Sequence, residues 1–99
     1  MYEILFSDAV EEDLAGIRPY DQVRILDAID EQLSHEPETR TRNRKMLTHF
    51  IPTFEADPPV WELRVGEYRI FYDVNLGENK VCVRAVRHKP PHRTIEEIL

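Results

Sequence analysis

The sequence predicts an α+β fold in which an N-terminal strand and a helical hairpin pack on a small, mainly antiparallel twisted sheet. Three observations predict it: a short apolar-rich start at residues 2–6, apolar residues three and four apart between Val10 and Leu33, and two alternating runs, V-W-E-L-R-V and Y-R-I-F-Y-D-V, that meet at Gly66-Glu67. A chain of 99 residues has room for one modest core, so residues 1–99 are expected to form a single domain.

Tyr2 to Phe6 suits a first strand, and Ser7-Asp8 suits a helix cap ahead of Val10, Leu14 and Ile17 on one stripe. Gly16 and Pro19 punctuate the stripe. A second helix from about Pro19 to Ser34 carries Val23, Ile25, Leu26, Ile29 and Leu33, and Pro37 lies beyond its end. Residues 38–45, E-T-R-T-R-N-R-K, read as a polar, flexible segment. Residues 46–59, with Pro52, Pro58 and Pro59, read as a loop with at most a short strand near Leu47 to Ile51. Strands are expected at about 60–66, 68–74 and 80–87, the last two joined across Asn75-Leu76-Gly77-Glu78-Asn79. A last turn of helix fits Thr94 to Leu99.

Composition narrows the setting. The single Cys82 forms no internal disulfide and no cysteine cluster suggests a metal site, which points to a reducing, cytoplasmic interior. No apolar run approaches the ~20 residues of a membrane helix, and Met1 to Asp8 lacks the basic start of a signal peptide. Neither a membrane partner, a metal nor a cofactor is expected. The net charge of −6 is uneven: residues 1–39 hold two basic and eleven acidic side chains, about −9, while residues 40–99 hold eleven basic and eight acidic, about +3. A cationic sheet surface then has a use for phosphate, and the acidic helical surface is either solvated or turned to a basic partner.

Pairing Val65 with Tyr68 across the turn sets Trp61 opposite Tyr72, Leu63 opposite Ile70 and Arg64 opposite Arg69. Extending the register from Val74 and Val81 predicts a core face that continues through Val83 and Ala85. The opposite face then carries Glu62, Arg64, Arg69, Phe71, Asp73, Cys82, Arg84 and Val86. Like charges facing each other in a sheet destabilise it unless carboxylates relieve them or an anion is held there. One reading pairs Arg64 and Arg69 with Glu62, Asp73 or Glu67 on an exposed sheet. The other is metal-free RNA cleavage, in which a ribose 2'-hydroxyl attacks the adjacent phosphorus, a base takes its proton, an acid protonates the leaving oxygen and cations stabilise the phosphorane. Arg69 and Arg64 suit the charge role, His88 the acid and Glu62 the base. Lys89, Arg84, Arg87, Lys45 and Arg44 are candidate phosphate ligands, with the tail R-H-K-P-P-H-R expected to close over the arginine patch. Arg40, Arg42, Arg44 and Lys45 fit either a flexible RNA-facing arm or a solvated loop.

The order of strand, helical hairpin, loop and three-stranded meander, with L-R-V-G-E-Y-R-I-F-Y-D-V and the V-R-A-V-R-H-K continuation, resembles the RelE/ParE superfamily of toxins from bacterial type II toxin-antitoxin systems. The resemblance implies one of two activities. Members similar to RelE or YoeB cut messenger RNA at the ribosome and inhibit translation, whereas ParE-like members poison DNA gyrase without cutting RNA. Arg69 matches the arginine of the Y-R motif, Arg64 a basic position before the turn, His88 the tail histidine of YoeB-like members and Lys89 the tail arginine of RelE-like ones. Val60 and Glu62 stand where RelE carries lysines, and Ile95 falls near its terminal tyrosine. Either activity implies a cognate antitoxin that lays a helix or strand over the apolar groove between hairpin and sheet, with oligomers forming through it. The nuclease reading adds messenger RNA and the ribosome as partners.

Overall fold

A computed structural model describes residues 1–99. The elements run β1 (Glu3–Phe6), α1 (Asp8–Ala15), α2 (Pro19–Leu33), β2 (Arg44–Met46), β3 (Trp61–Val65), β4 (Tyr68–Asn75), β5 (Lys80–His88) and α3 (Ile95–Ile98). They form the expected α+β arrangement: a five-stranded sheet in the order β1-β5-β4-β3-β2, antiparallel except for β1 beside β5. No helix is long and apolar enough to cross a membrane.

Both longer helices cover one face of the sheet. Val10 of α1 and Ile25, Ile29 and Leu33 of α2 pack against Leu63, Ile70, Tyr72, Val81 and Val83, all essentially buried. Each such side chain contributes roughly 1.5–3 kcal/mol over its exposed state. Tyr72 keeps its hydroxyl in this core by donating to the Pro37 carbonyl at 2.6 Å, and burial pushes its pKa far above the ordinary phenol value. Val23 and Leu26, which the sequence pattern placed on the core stripe, face outward instead. The helical stripe is narrower than five apolar residues suggested, and Ile25, Ile29 and Leu33 fill it.

Helix ends follow local chemistry, with one substitution of role. Ser7 occupies the position before α1 but does not cap it; its hydroxyl donates to the Arg84 carbonyl on β5. The far end of α1 is closed from α2, where the Gln22 amide donates to the Leu14 and Ile17 carbonyls at 2.7 and 2.6 Å. Pro19 opens α2, where its missing N–H costs nothing. Thr94 and Glu97 form a reciprocal capping box on α3.

Two strand expectations are corrected. The strand foreseen near Leu47 to Ile51 lies earlier, at Arg44–Met46, where Lys45 and Met46 pair with Glu62 and Trp61. The facing of Ala85 and Val86 is also exchanged. Tyr72 pairs with Val83 but Phe71 pairs with Ala85, so Arg84 is an extra residue in a β-bulge. The bulge turns Val86 into the helix-side core and Ala85 to the outer face, a shift that strict alternation does not foresee. On that outer face Val60, Phe71 and Ala85 form a second small cluster under Leu47, Phe50 and Phe54, with Phe50 stacked on Phe71 at 5.9 Å between ring centroids.

Candidate functional site

The β3–β4 turn positions the arginines. Gly66 takes a φ of 57°, a left-handed value that a side chain disfavours, and a Cβ there would sit 3.1 Å from the Arg24 guanidinium. The register across the turn is the expected one: Arg64 opposite Arg69, Glu62 opposite Phe71 and Trp61 opposite Tyr72. Arg64, Arg69 and Glu62 therefore share the outer face, away from the helices.

Their side chains have different fates. Arg69 is buried, with 7% of its side chain exposed; its Nε lies 3.1 Å from Glu62 Oε1, and its Nη1 donates to the Gly66 and Tyr68 carbonyls at 2.9 Å each. Burial, and then the neighbouring Arg64 charge, pull the Arg69 guanidinium below its ordinary pKa, with Glu62 pulling the other way. Glu62 is equally buried, and its Oε2 accepts no hydrogen bond. Lys45 Nζ is 3.6 Å from that oxygen, near enough for charge attraction and too far for a hydrogen bond. Arg64 is exposed and ion-paired to nothing. Together with Arg40, Arg42, Lys45 and Glu62 it lines a hollow of about 190 Å³ that contains no hydrophobic side chain.

The loop feeding this hollow is hydrogen-bonded to itself and to β3. Thr41 and Arg44 exchange backbone hydrogen bonds, the Thr41 hydroxyl accepts from the Asn43 N–H at 3.2 Å, and the Arg64 N–H donates to the Asn43 carbonyl at 2.8 Å. Arg44 turns away from the outer face. Its guanidinium donates to the Gln32 carbonyl in the last turn of α2, where a cation complements the helix dipole, so Arg44 serves the fold.

The remaining expected site residues do not converge on Arg69. His88 pairs with Tyr68 in register and stacks obliquely beside it at 5.3 Å, which puts it on the helix side of the sheet; its Nε2 meets Glu67 Oε1 at 3.2 Å. Lys89 is held by its backbone N–H on the Glu67 carbonyl, at the turn. Arg84 is locked by Asp73, with Nε to Oδ2 at 2.7 Å, and reaches Asp57 at 3.3 Å. Arg87 donates to Asp13 of α1 at 2.7 Å; the same carboxylate oxygen takes the Val86 N–H at 2.9 Å. Alternation sends His88 and Arg69 to opposite faces, so this histidine does not close over the arginine patch, while Arg87, in register with Arg69, is drawn to Asp13.

Residues 4–89 match the family described as the ParE toxin of the type II toxin-antitoxin system parDE. The chain belongs to the ParE toxin family. Among solved structures, this family member is similar to a chain of the RelBE2 toxin-antitoxin complex from Mycobacterium tuberculosis, with TM-score 0.72 and 23% identity over 89% of this chain and 98% of that one. It is also similar to a chain of the archaeal RelE-RelB complex from Pyrococcus horikoshii OT3, with TM-score 0.70 and 23% identity over 94% and 98%. Among curated proteins, none matches the chain by sequence.

Within this ParE-family toxin, sequence reasoning undervalued two networks. Arg40 and Arg42 fitted either an RNA-facing arm or a solvated loop, and they line the hollow with Arg64; their alternation with Arg44 just before β2 was the available signal. Asp21 sits near the start of α2, where an acid normally complements the helix dipole. Here it is largely buried and collects Arg18 Nε at 2.8 Å, the Tyr68 hydroxyl at 3.2 Å and Arg24 at 3.4 Å. No local pattern connects Asp21 to Tyr68, 47 positions away.

Proposed function

We propose that this toxin arrests growth by binding a protein target, in the manner of the gyrase-directed ParE type, rather than by cutting messenger RNA. One observation carries the reading: Arg69 and His88, the phosphate holder and proton donor a nuclease would need together, lie on opposite faces of the sheet. Each is also occupied, Arg69 by Glu62 and two carbonyls and His88 by Glu67. Val60 and Glu62 at the positions of RelE lysines support the same conclusion.

A cognate antitoxin fits the apolar surface left open by β1 and α2. Leu5 and Phe6 on the edge strand and Tyr20, Val23 and Leu26 on α2 are exposed, and a groove of about 380 Å³ lined by Met1, Phe6, Leu26 and Ile29 runs between them. An amphipathic helix or an added strand would bury that surface. The two similar structures described above come from toxin-antitoxin complexes, which supports this assignment.

The test is induction of the chain in a bacterium with transcript 5' ends mapped alongside growth. Arrest with intact transcripts, relieved by co-expressing the antitoxin, is the expected result. Discrete ribosome-dependent cuts in messages would replace this reading with the endoribonuclease one.

A further inference from the structure

We infer that the hollow between residues 40–45 and β3 grips the phosphate backbone of a nucleic-acid duplex. The site goes beyond the proposed protein-binding activity and stands independently of it.

Arg40, Arg42 and Arg64 are exposed and none forms an ion pair, although the chain carries a net charge of −6 and nineteen carboxylate side chains. The one acid in the hollow, Glu62, is already engaged by Arg69 and lies beside Lys45. Unneutralised guanidiniums held together in this way repel one another, and a bound anion removes that cost. Their planar forks suit phosphate oxygens, and the hydrogen-bonded turn at Thr41 and Asn43 holds the backbone that presents them, so less ordering remains for the bound state.

The lining selects a duplex over a single strand. Unpaired bases are held by aromatic platforms beside a basic groove, and no aromatic or aliphatic residue lines this hollow. Contacts confined to backbone phosphates carry no sequence information, so binding is sequence-independent. The acidic half of the chain lies mainly on and around the two long helices, whose inner sides cover the opposite face of the sheet, leaving the basic edge to approach a polyanion.

The experiment is fluorescence anisotropy of the purified chain with short labelled duplex DNA and duplex RNA, which separate the two sources of the same phosphodiester. A single strand of equal length and a polyglutamate peptide serve as competitors. Duplex affinity should fall with salt at a log-log slope of about −0.9 per phosphate contacted, or about −2.7 for three guanidiniums. The double variant R42E/R64E should weaken binding by about tenfold or more and make the slope shallower by about 1.8. Its thermal midpoint should not fall below the parent's, because neither side chain is paired and removing the two cations relieves their mutual repulsion. Arg93→Gln, which alters an arginine paired with Glu97 outside the hollow, should bind like the parent. Salt-insensitive or absent duplex binding by the parent overturns the inference. So do equal binding by R42E/R64E, equal loss with Arg93→Gln, or preferential binding of the single strand or the polyglutamate peptide.

Discussion

The two ends of the sheet's outer face carry the same residue types and use them differently. At one end Arg84 is bracketed by Asp73 and Asp57, with Asp73 also taking the Asp57 N–H at 2.9 Å, so charge is balanced and the loop before β3 is tied down. At the other end Arg69 consumes Glu62, and Arg40, Arg42 and Arg64 are left over. The difference is one of supply: two carboxylates serve one arginine at the closed end, and one serves several cations at the open end. An arginine's presence on this face therefore says little about its task until its carboxylates are counted.

Arg69→Ala should separate the two ends of the sheet most strongly. Removing one partner of a buried pair leaves the Glu62 carboxylate with only the half-exposed Lys45 at 3.6 Å to balance it, so chemical denaturation should show a loss of roughly 3 kcal/mol, the low end for a broken buried pair. An arginine that only held phosphate would leave a folded, inactive protein after this change; a structural pair predicts an unstable one. At the closed end, Asp73→Ala frees the Arg84 guanidinium and the Asp57 N–H, and the same measurement should show about 2 kcal/mol lost. Arg84 reaches water more easily than Glu62 does, which makes this loss the smaller of the two.

On the helix side, stability should depend on pH. Hydrogen bonding from Arg18 holds the Asp21 carboxyl below its ordinary pKa despite the opposing effect of desolvation. A depressed folded pKa contributes stability above the unfolded value, and that contribution disappears as pH falls through the folded value. Unfolding monitored below the ordinary Asp range, about pH 4, should therefore show a decline that Asp21→Asn flattens. The smallest effect belongs to Arg64→Gln. With no partner to lose, its stability should stay within about 0.5 kcal/mol of the parent in thermal unfolding.

Local pattern made the hairpin legible. Alternation and a two-residue turn fixed the pairing of Trp61 to Val65 with Tyr68 to Tyr72, and the helical boundaries followed from Ser7, Pro19 and the 3–4 spacing between them. The bulge at Arg84 was not legible, since a single extra residue leaves composition unchanged while reversing Ala85 and Val86. The facing of His88 was available in principle from its pairing with Tyr68, but proximity along the chain to the basic tail suggested convergence that strand alternation forbids. Arg44 illustrates a different limit. Its place at the C-terminal turn of α2 depends on how β2 lies beside β3 and the helix above them, and no neighbouring residue announces that contact.

Arg69 belongs to the fold through Glu62, and a double-mutant cycle checks this pairing. Glu62→Gln, Arg69→Gln and the double variant should be unfolded by denaturant under one set of conditions. A coupling free energy of about 2 kcal/mol or more between the two positions is expected for a buried, contacting pair. Coupling near zero, with Arg69→Gln fully stable, would contradict the account and return Arg69 to the list of groups free to hold a scissile phosphate.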